Sequence, residues 1–466
     1  MWFFRRKGYE DSSRTLVPTP VDKLNPSTDL TLEKALKPVS EPEKTRKKFF
    51  GDNETGERNM KMALATYSHM NVWGQIANEN HQTACVVAAG HDEFRGWFVE
   101  MPDYGELNDF DKIRENPDSA QEITAKNLET LATLHAVGLR HLEHKKDLKK
   151  QGMFKAHRSI TKYGQARTGE GSKTDVKTLR RATNAIEPLL GDNPDFDACL
   201  QNFLGGRKID EDKTLAKANG LFDVAHLIEQ TSFLDAGQVA ELKQHYVAGY
   251  NKAVGNINAY VAECRADTKG TILRLIDTYL DDSALVQKIK KKIERKAPKT
   301  FEQYKNLLQK KALKNNIYLI DSHLDNMFER RELSEEDFEV MYQSSKVLRC
   351  LSSYANHSKR LEKSEKDSKD FIYYSAAKKD QLEKAIDAVG KLEEITKELD
   401  PAVYKHVLKM KEVLEKDYAQ TYKDEELDMS PMPIEDYLPI MPLTAEDMPI
   451  ARPIQADYFL TKDLVA

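Results

Sequence analysis

The feature that most narrows what this chain can fold into is a change of hydrophobic period near residue 118. Beyond it, Ile123, Leu128, Leu131, Leu134 and Leu139 recur at spacings that keep one apolar face on a helix. Amphipathic helical patterns then continue to about residue 422. Before it, helical spacing is confined mainly to the stretch from Glu54 to Val72. The clearest strands run from Thr83 to Ala89 and from Trp97 to Met101, separated by turn-forming Gly90, His91, Asp92, Glu93 and Gly96, which predicts a hairpin. The expected fold is α+β, a small mixed lobe followed by helices.

Length and composition set the outer limits. At roughly 150 residues per domain, 466 residues suggest two or three domains. Lys+Arg 71 against Asp+Glu 76, with 32% charged residues, predicts helices with strongly solvated outer faces. No run approaches the roughly 18 apolar residues that a membrane-spanning helix needs, and the opening Met1-Trp2-Phe3-Phe4-Arg5-Arg6-Lys7 has its apolar residues ahead of its basic ones. A soluble chain with neither transmembrane helix nor secretory signal is expected. Cys85, Cys199, Cys264 and Cys350 lie far apart without metal-ligand spacing, so a reducing compartment and no structural zinc are expected.

The stretch richest in chemistry is Asp195-Phe196-Asp197-Ala198-Cys199-Leu200-Gln201-Asn202-Phe203-Leu204, followed by Leu221-Phe222-Asp223-Val224-Ala225. An acidic residue five before an Asn, an apolar pair, then a second carboxylate are the groups that phosphoryl transfer from Mg-ATP uses. One carboxylate orients the acceptor hydroxyl, and the Asn and the other carboxylate hold the metal. Here the chain resembles the protein-kinase superfamily, most closely its aminoglycoside-phosphotransferase and choline-kinase-like branch, over about residues 30 to 240. The resemblance implies Asp197 as catalytic Asp, Asn202 and Asp223 as magnesium ligands, and ATP and Mg as cofactors. Phe98-Val99-Glu100-Met101-Pro102-Asp103-Tyr104-Gly105 is similar to the strand and adenine-binding hinge of such kinases, which implies nucleotide contacts at Glu100 and Met101. The run from Ala125 to Ala136, containing Leu134-His135, is similar to the helix that follows. Ala35-Leu36-Lys37 resembles the end of the strand that supplies the phosphate-binding lysine, with Glu54 or Glu57 as its ion-pair partner. The chain departs from the family in having Asp195 where the family has His, and in lacking a Gly-rich loop before Lys37. A second match to the isolated pattern stands at Asp321-Ser322-His323-Leu324-Asp325-Asn326, ahead of a helix start predicted at Ser334.

The expected organisation is a bilobal kinase-like domain at 1–265, with an N-lobe to about 102 and a C-lobe from 103. An all-α, basic domain at 266–422 and a flexible acidic and Pro-rich tail at 423–466 would follow. Between Lys288 and Lys314 eleven Lys/Arg face two Glu. Lys288, Lys290, Lys291, Lys292, Arg295 and Lys296 suit a polyanion such as a phosphoinositide headgroup or inositol phosphate, and the bland alternative is a solvated helix face. Duplex nucleic acid is disfavoured by the net charge of -5 and the lack of a zinc finger or recognition-helix pattern. The tail, with Asp424-Glu425-Glu426 and a terminal Thr461-Lys462-Asp463-Leu464-Val465-Ala466, resembles the translocation signals of Legionella type IV secreted effectors. That likeness implies delivery to a host cell and a peripheral membrane location. The expected activity is protein phosphorylation, against an inactive scaffold or a small-molecule phosphotransferase.

Overall fold

The computed structural model describes residues 15–16, 45–81, 86, 88–102, 107–138, 159–166, 173–190, 198–208, 221–279, 284–296, 300–301, 303–304, 320, 323–366 and 368–422. A four-stranded antiparallel sheet is built from β1 (Thr15–Leu16), β2 (Thr45–Phe49), β3 (Ala88–Asp92) and β4 (Gly96–Pro102), in the order β1-β3-β4-β2. The hairpin turn is Glu93-Phe94-Arg95, because the Asp92 carboxylate accepts the amides of Phe94 and Arg95. Gly90, His91 and Asp92, read as turn residues, therefore belong to β3. Helix α1 (Glu54–Ala77) separates β2 from β3. Asn53 caps it by accepting the Gly56 amide at 2.8 Å, with Glu54 and Glu57 in the first turn where the helix dipole favours acids. Met60, Ala63 and Tyr67 of α1 pack on Ala89, Val99 and Met101 of the sheet.

After the sheet come α2 (Asp109–Glu115), α3 (Ala120–Val137), α4 (Lys173–Ile186), the hairpin β5 (Phe203–Leu204) and β6 (Arg207–Lys208), α5 (Phe222–Glu229) and α6 (Ala236–Ala266). Then follow α7 (Thr268–Tyr279), α8 (Ala284–Lys296), α9 (Glu335–Leu361), α10 (Lys369–Leu399) and α11 (Pro401–Thr421). The described fold is mostly helical with a small antiparallel sheet, an α+β architecture. Ser334 caps α9 through the Asp337 amide, as its sequence predicts.

Packing does not follow the expected division at 265. One core joins α1, α3, α5 and α6 to Met327, Leu333, Phe338 and Tyr342. A second joins Ile160, Tyr163, Leu179 and Ile186 to α9, α10 and α11. Residues assigned by sequence to a C-lobe thus share an interior with the helices assigned to a separate domain. A third, smaller core holds Ile272, Ile276, Ile289, Ile293, Tyr304, Ile320 and Leu324. The tail at 423–466 lies outside the described residues.

An extended segment, 329–334, straps the first core. The Asn258 side-chain amide donates to the Arg330 carbonyl at 2.9 Å and accepts the Arg330 amide at 2.8 Å. Asn251 makes the same pair with Leu333, at 2.9 and 2.8 Å. Seven helical residues rise about 10.5 Å, and three extended ones advance about 10 Å, so α6 presents its two amides in step with the strap. The Arg330 guanidinium donates to the carbonyls of Ala136 and Val137 at 3.2 and 3.0 Å and to those of Asn326 and Phe328. It also lies over the Trp73 ring at 5.2 Å. A cation at the carbonyl end of α3 matches the helix dipole.

Candidate functional site

The loop that follows Asp197 is tied down along its length. Ala198 donates its amide to Asp223 Oδ1 at 2.8 Å, and the Leu200 amide donates to Gln230 Oε1 at 2.8 Å. Gln230 Nε2 in turn donates to Gln201 at 3.1 Å. A 3-10 turn, Leu200–Asn202, then feeds β5. The β5–β6 turn is Gly205-Gly206, with φ of +59° and +84°, values a two-residue hairpin needs and glycine supplies without strain. Its two amides donate to the buried Asp109 carboxylate of α2, at 2.6 and 3.1 Å, and its Gly206 carbonyl accepts Thr130 Oγ1 at 2.6 Å. The segment is held from α2, α3 and α5 at once, which suits a loop whose side chains must keep a fixed geometry.

Asp223 is 3% exposed at the start of α5. Its Oδ2 lies 3.5 Å from His135 Nε2, and His135 Nδ1 is 2.7 Å from the Tyr246 hydroxyl. Burial raises the Tyr246 hydroxyl well above its ordinary pKa, so it stays protonated beside Nδ1. His226, one turn along α5, is held near a pKa of about 3 by burial, with Arg349 acting in the same direction, and is neutral. Asp223 is therefore an interior anchor joining the loop to α3 and α6, and both its oxygens face protein groups.

The other expected residues are scattered. Asp197 and Lys37 lie outside the described residues. Asn202 is half-buried at the mouth of the hairpin. Glu57 is half-buried in the first turn of α1. Glu100 is flanked by Ala88 on one side and Lys47 on the other, so its main chain is used within the sheet. The Met101 side chain is packed under α1. The strand directly before α1 is β2, which carries Lys47 and Lys48. Lys48 pairs with Val99, whose side chain faces α1, whereas Lys47 stands 4.2 Å over Phe98 on the opposite face. Sequence reasoning passed over β2 because Thr45-Arg46-Lys47-Lys48-Phe49 has no apolar alternation. In the second match, His323 is buried with its ring 4.8 Å from Trp73 and its Nε2 3.0 Å from the Tyr260 hydroxyl, which removes it from any cleft.

Among the described residues no group of three or more His, Cys, Asp or Glu side chains converges to hold a metal. No helix among them is long and apolar enough to cross a membrane. No family model matches the chain, and no curated protein is significantly similar to it.

Proposed function

We propose that residues up to about 265 form an atypical ATP-dependent phosphotransferase, bilobal in the manner of the protein kinases, acting on a protein hydroxyl. The observation that carries this is the order and anchoring of the elements. A strand bearing lysines precedes a helix with acids in its first turn, a hairpin closes the sheet, and the Ala198–Asn202 stretch, next to Asp197 in sequence, runs into a hairpin strapped from three helices. Asp197 would orient the acceptor hydroxyl. Lys48 takes the place of Lys37 as the phosphate-binding cation, since a lysine delivers a compact charge and Glu57 belongs to the same helix start. ATP would supply the phosphoryl group and magnesium would neutralise its charge. Asn202 remains a ligand suited to that ion, and because Asp223 is engaged by Ala198 and His135 the carboxylate would come from another residue. The chain leaves β6 at Lys208, whose strand partner Phe203 directly follows Asn202, and the next carboxylate in sequence is Asp210.

The test is phosphate transfer from labelled Mg-ATP to the protein itself, to mixed protein acceptors and to small hydroxylated metabolites, with Asp197→Asn and Lys48→Met beside the wild type. Transfer to protein that both variants lose supports the proposal. Transfer only to metabolites moves the substrate class, and ATP binding without transfer makes the chain a scaffold. Full activity of Asp197→Asn refutes the assignment.

A further inference from the structure

Helix α8 sorts its six cations into two groups. Val286, Ile289 and Ile293 are buried in the third core. Lys290, beside that face, is spent on Asp277 of α7. Lys288, Lys291 and Arg295, separated by three, four and seven positions, share the side opposite those buried residues, with Lys292 on its flank and Lys296 at the helix end. Lys288, Lys291, Arg295 and Lys296 are exposed, and among the described residues no carboxylate pairs with Lys288, Lys291 or Arg295. Several lysines of the neighbouring helices are by contrast matched: Lys346 and Lys391 to Asp387, Lys384 to Asp380, Lys411 to Glu393, Lys243 to Glu339. The one acid of α8, Glu294, falls to the side of the cationic row.

We propose that this face of α8 docks on an anionic bilayer. The proposal is independent of the phosphotransferase reading. Three cations diverging from a convex helix over about 10 Å, with Lys292 beside them, meet an array of separate anionic headgroups better than one polyphosphate, which needs cations converging in a hollow. The row carries no aromatic ring on which a base could stack. Each cation at such a surface strengthens binding roughly five-fold, and the attraction decays within about 8 Å at physiological salt.

The experiment is co-flotation of the full chain with phosphatidylcholine vesicles and with vesicles in which one lipid in five is phosphatidylserine. Binding to the second and not the first is expected. Lys288→Glu with Lys291→Glu and Arg295→Glu should lower it about 100-fold or more, and the exposed Arg295→Glu alone about ten-fold. Lys290→Met, which removes a lysine that faces Asp277, should keep vesicle affinity within about two-fold. Thermal melts check that each variant is folded. Indifference of the reversed variants, or a Lys290→Met loss as large as theirs, overturns the proposal. So does anionic-vesicle indifference with tight binding of inositol hexakisphosphate or duplex RNA.

Discussion

Replacing Asp223 separates an interior anchor from a metal ligand. Asp223→Ala removes a charge-assisted acceptor of the Ala198 amide, a bond that contributes about 1.5–3 kcal/mol, and leaves that buried amide unsatisfied at a cost of about 1–3 kcal/mol. His135 also loses the carboxylate 3.5 Å from its Nε2. A total near 3–5 kcal/mol is expected, the range for breaking a buried pair by removing one partner. Asp223→Asn keeps an oxygen that can accept from Ala198 and should cost about 1–2 kcal/mol, the difference between charged and neutral acceptors. Urea denaturation of both variants, followed by far-ultraviolet circular dichroism, reads these as midpoint shifts at unchanged slope. A ligand at an open metal site would behave oppositely, with unchanged stability and lost magnesium enhancement of nucleotide binding. That opposite pattern is expected of Asp210→Asn. An Asp223→Ala midpoint equal to wild type would refute the anchoring argument.

Two further outcomes follow from buried groups. His81, His226 and His323 are each held at a pKa of about 3 chiefly by burial and are neutral in the fold. The unfolded chain binds their protons below about pH 6.5, so this stability is complete above that value and is lost as pH falls toward 3. Urea midpoints should decline over that window with a slope reaching about 4 kcal/mol per pH unit below pH 5.5, and a flat profile would contradict it. Arg330→Met strands the Ala136 and Val137 carbonyls at the end of α3, and should lower stability by about 3–5 kcal/mol with faster amide exchange in that last turn. Arg330→Lys should recover under half of this, because an ammonium cannot span four carbonyls, and full recovery would show that charge alone suffices.

The sequence made local features legible and left long-range ones hidden. Helix α1 from Glu54, β4, the apolar face of α3 and the cap at Ser334 all rest on nearby residues, whose period and capping chemistry are visible in a short window. Leu179 shares a core with Leu414, a partnership with no local trace. β2 was missed because its polar residues are held by the ladder to β4 rather than by their own pattern. The anchoring of Asp223 was hidden for the same reason. A carboxylate in sequence has no address, and only the approach of Ala198 and His135 makes it an anchor.

The shared interior of residues 160–190 and α9 to α11 also sets a timetable. A chain leaves the ribosome from its N-terminus at about 5–20 residues per second, so Leu179 emerges roughly 10–50 s before Leu414 arrives to cover it. Through that interval the apolar side of α4 has none of its C-terminal partners. Nascent α4 is thus the segment most in need of a chaperone, and a stop codon introduced before α9 should yield aggregates rather than a free-standing N-terminal fragment.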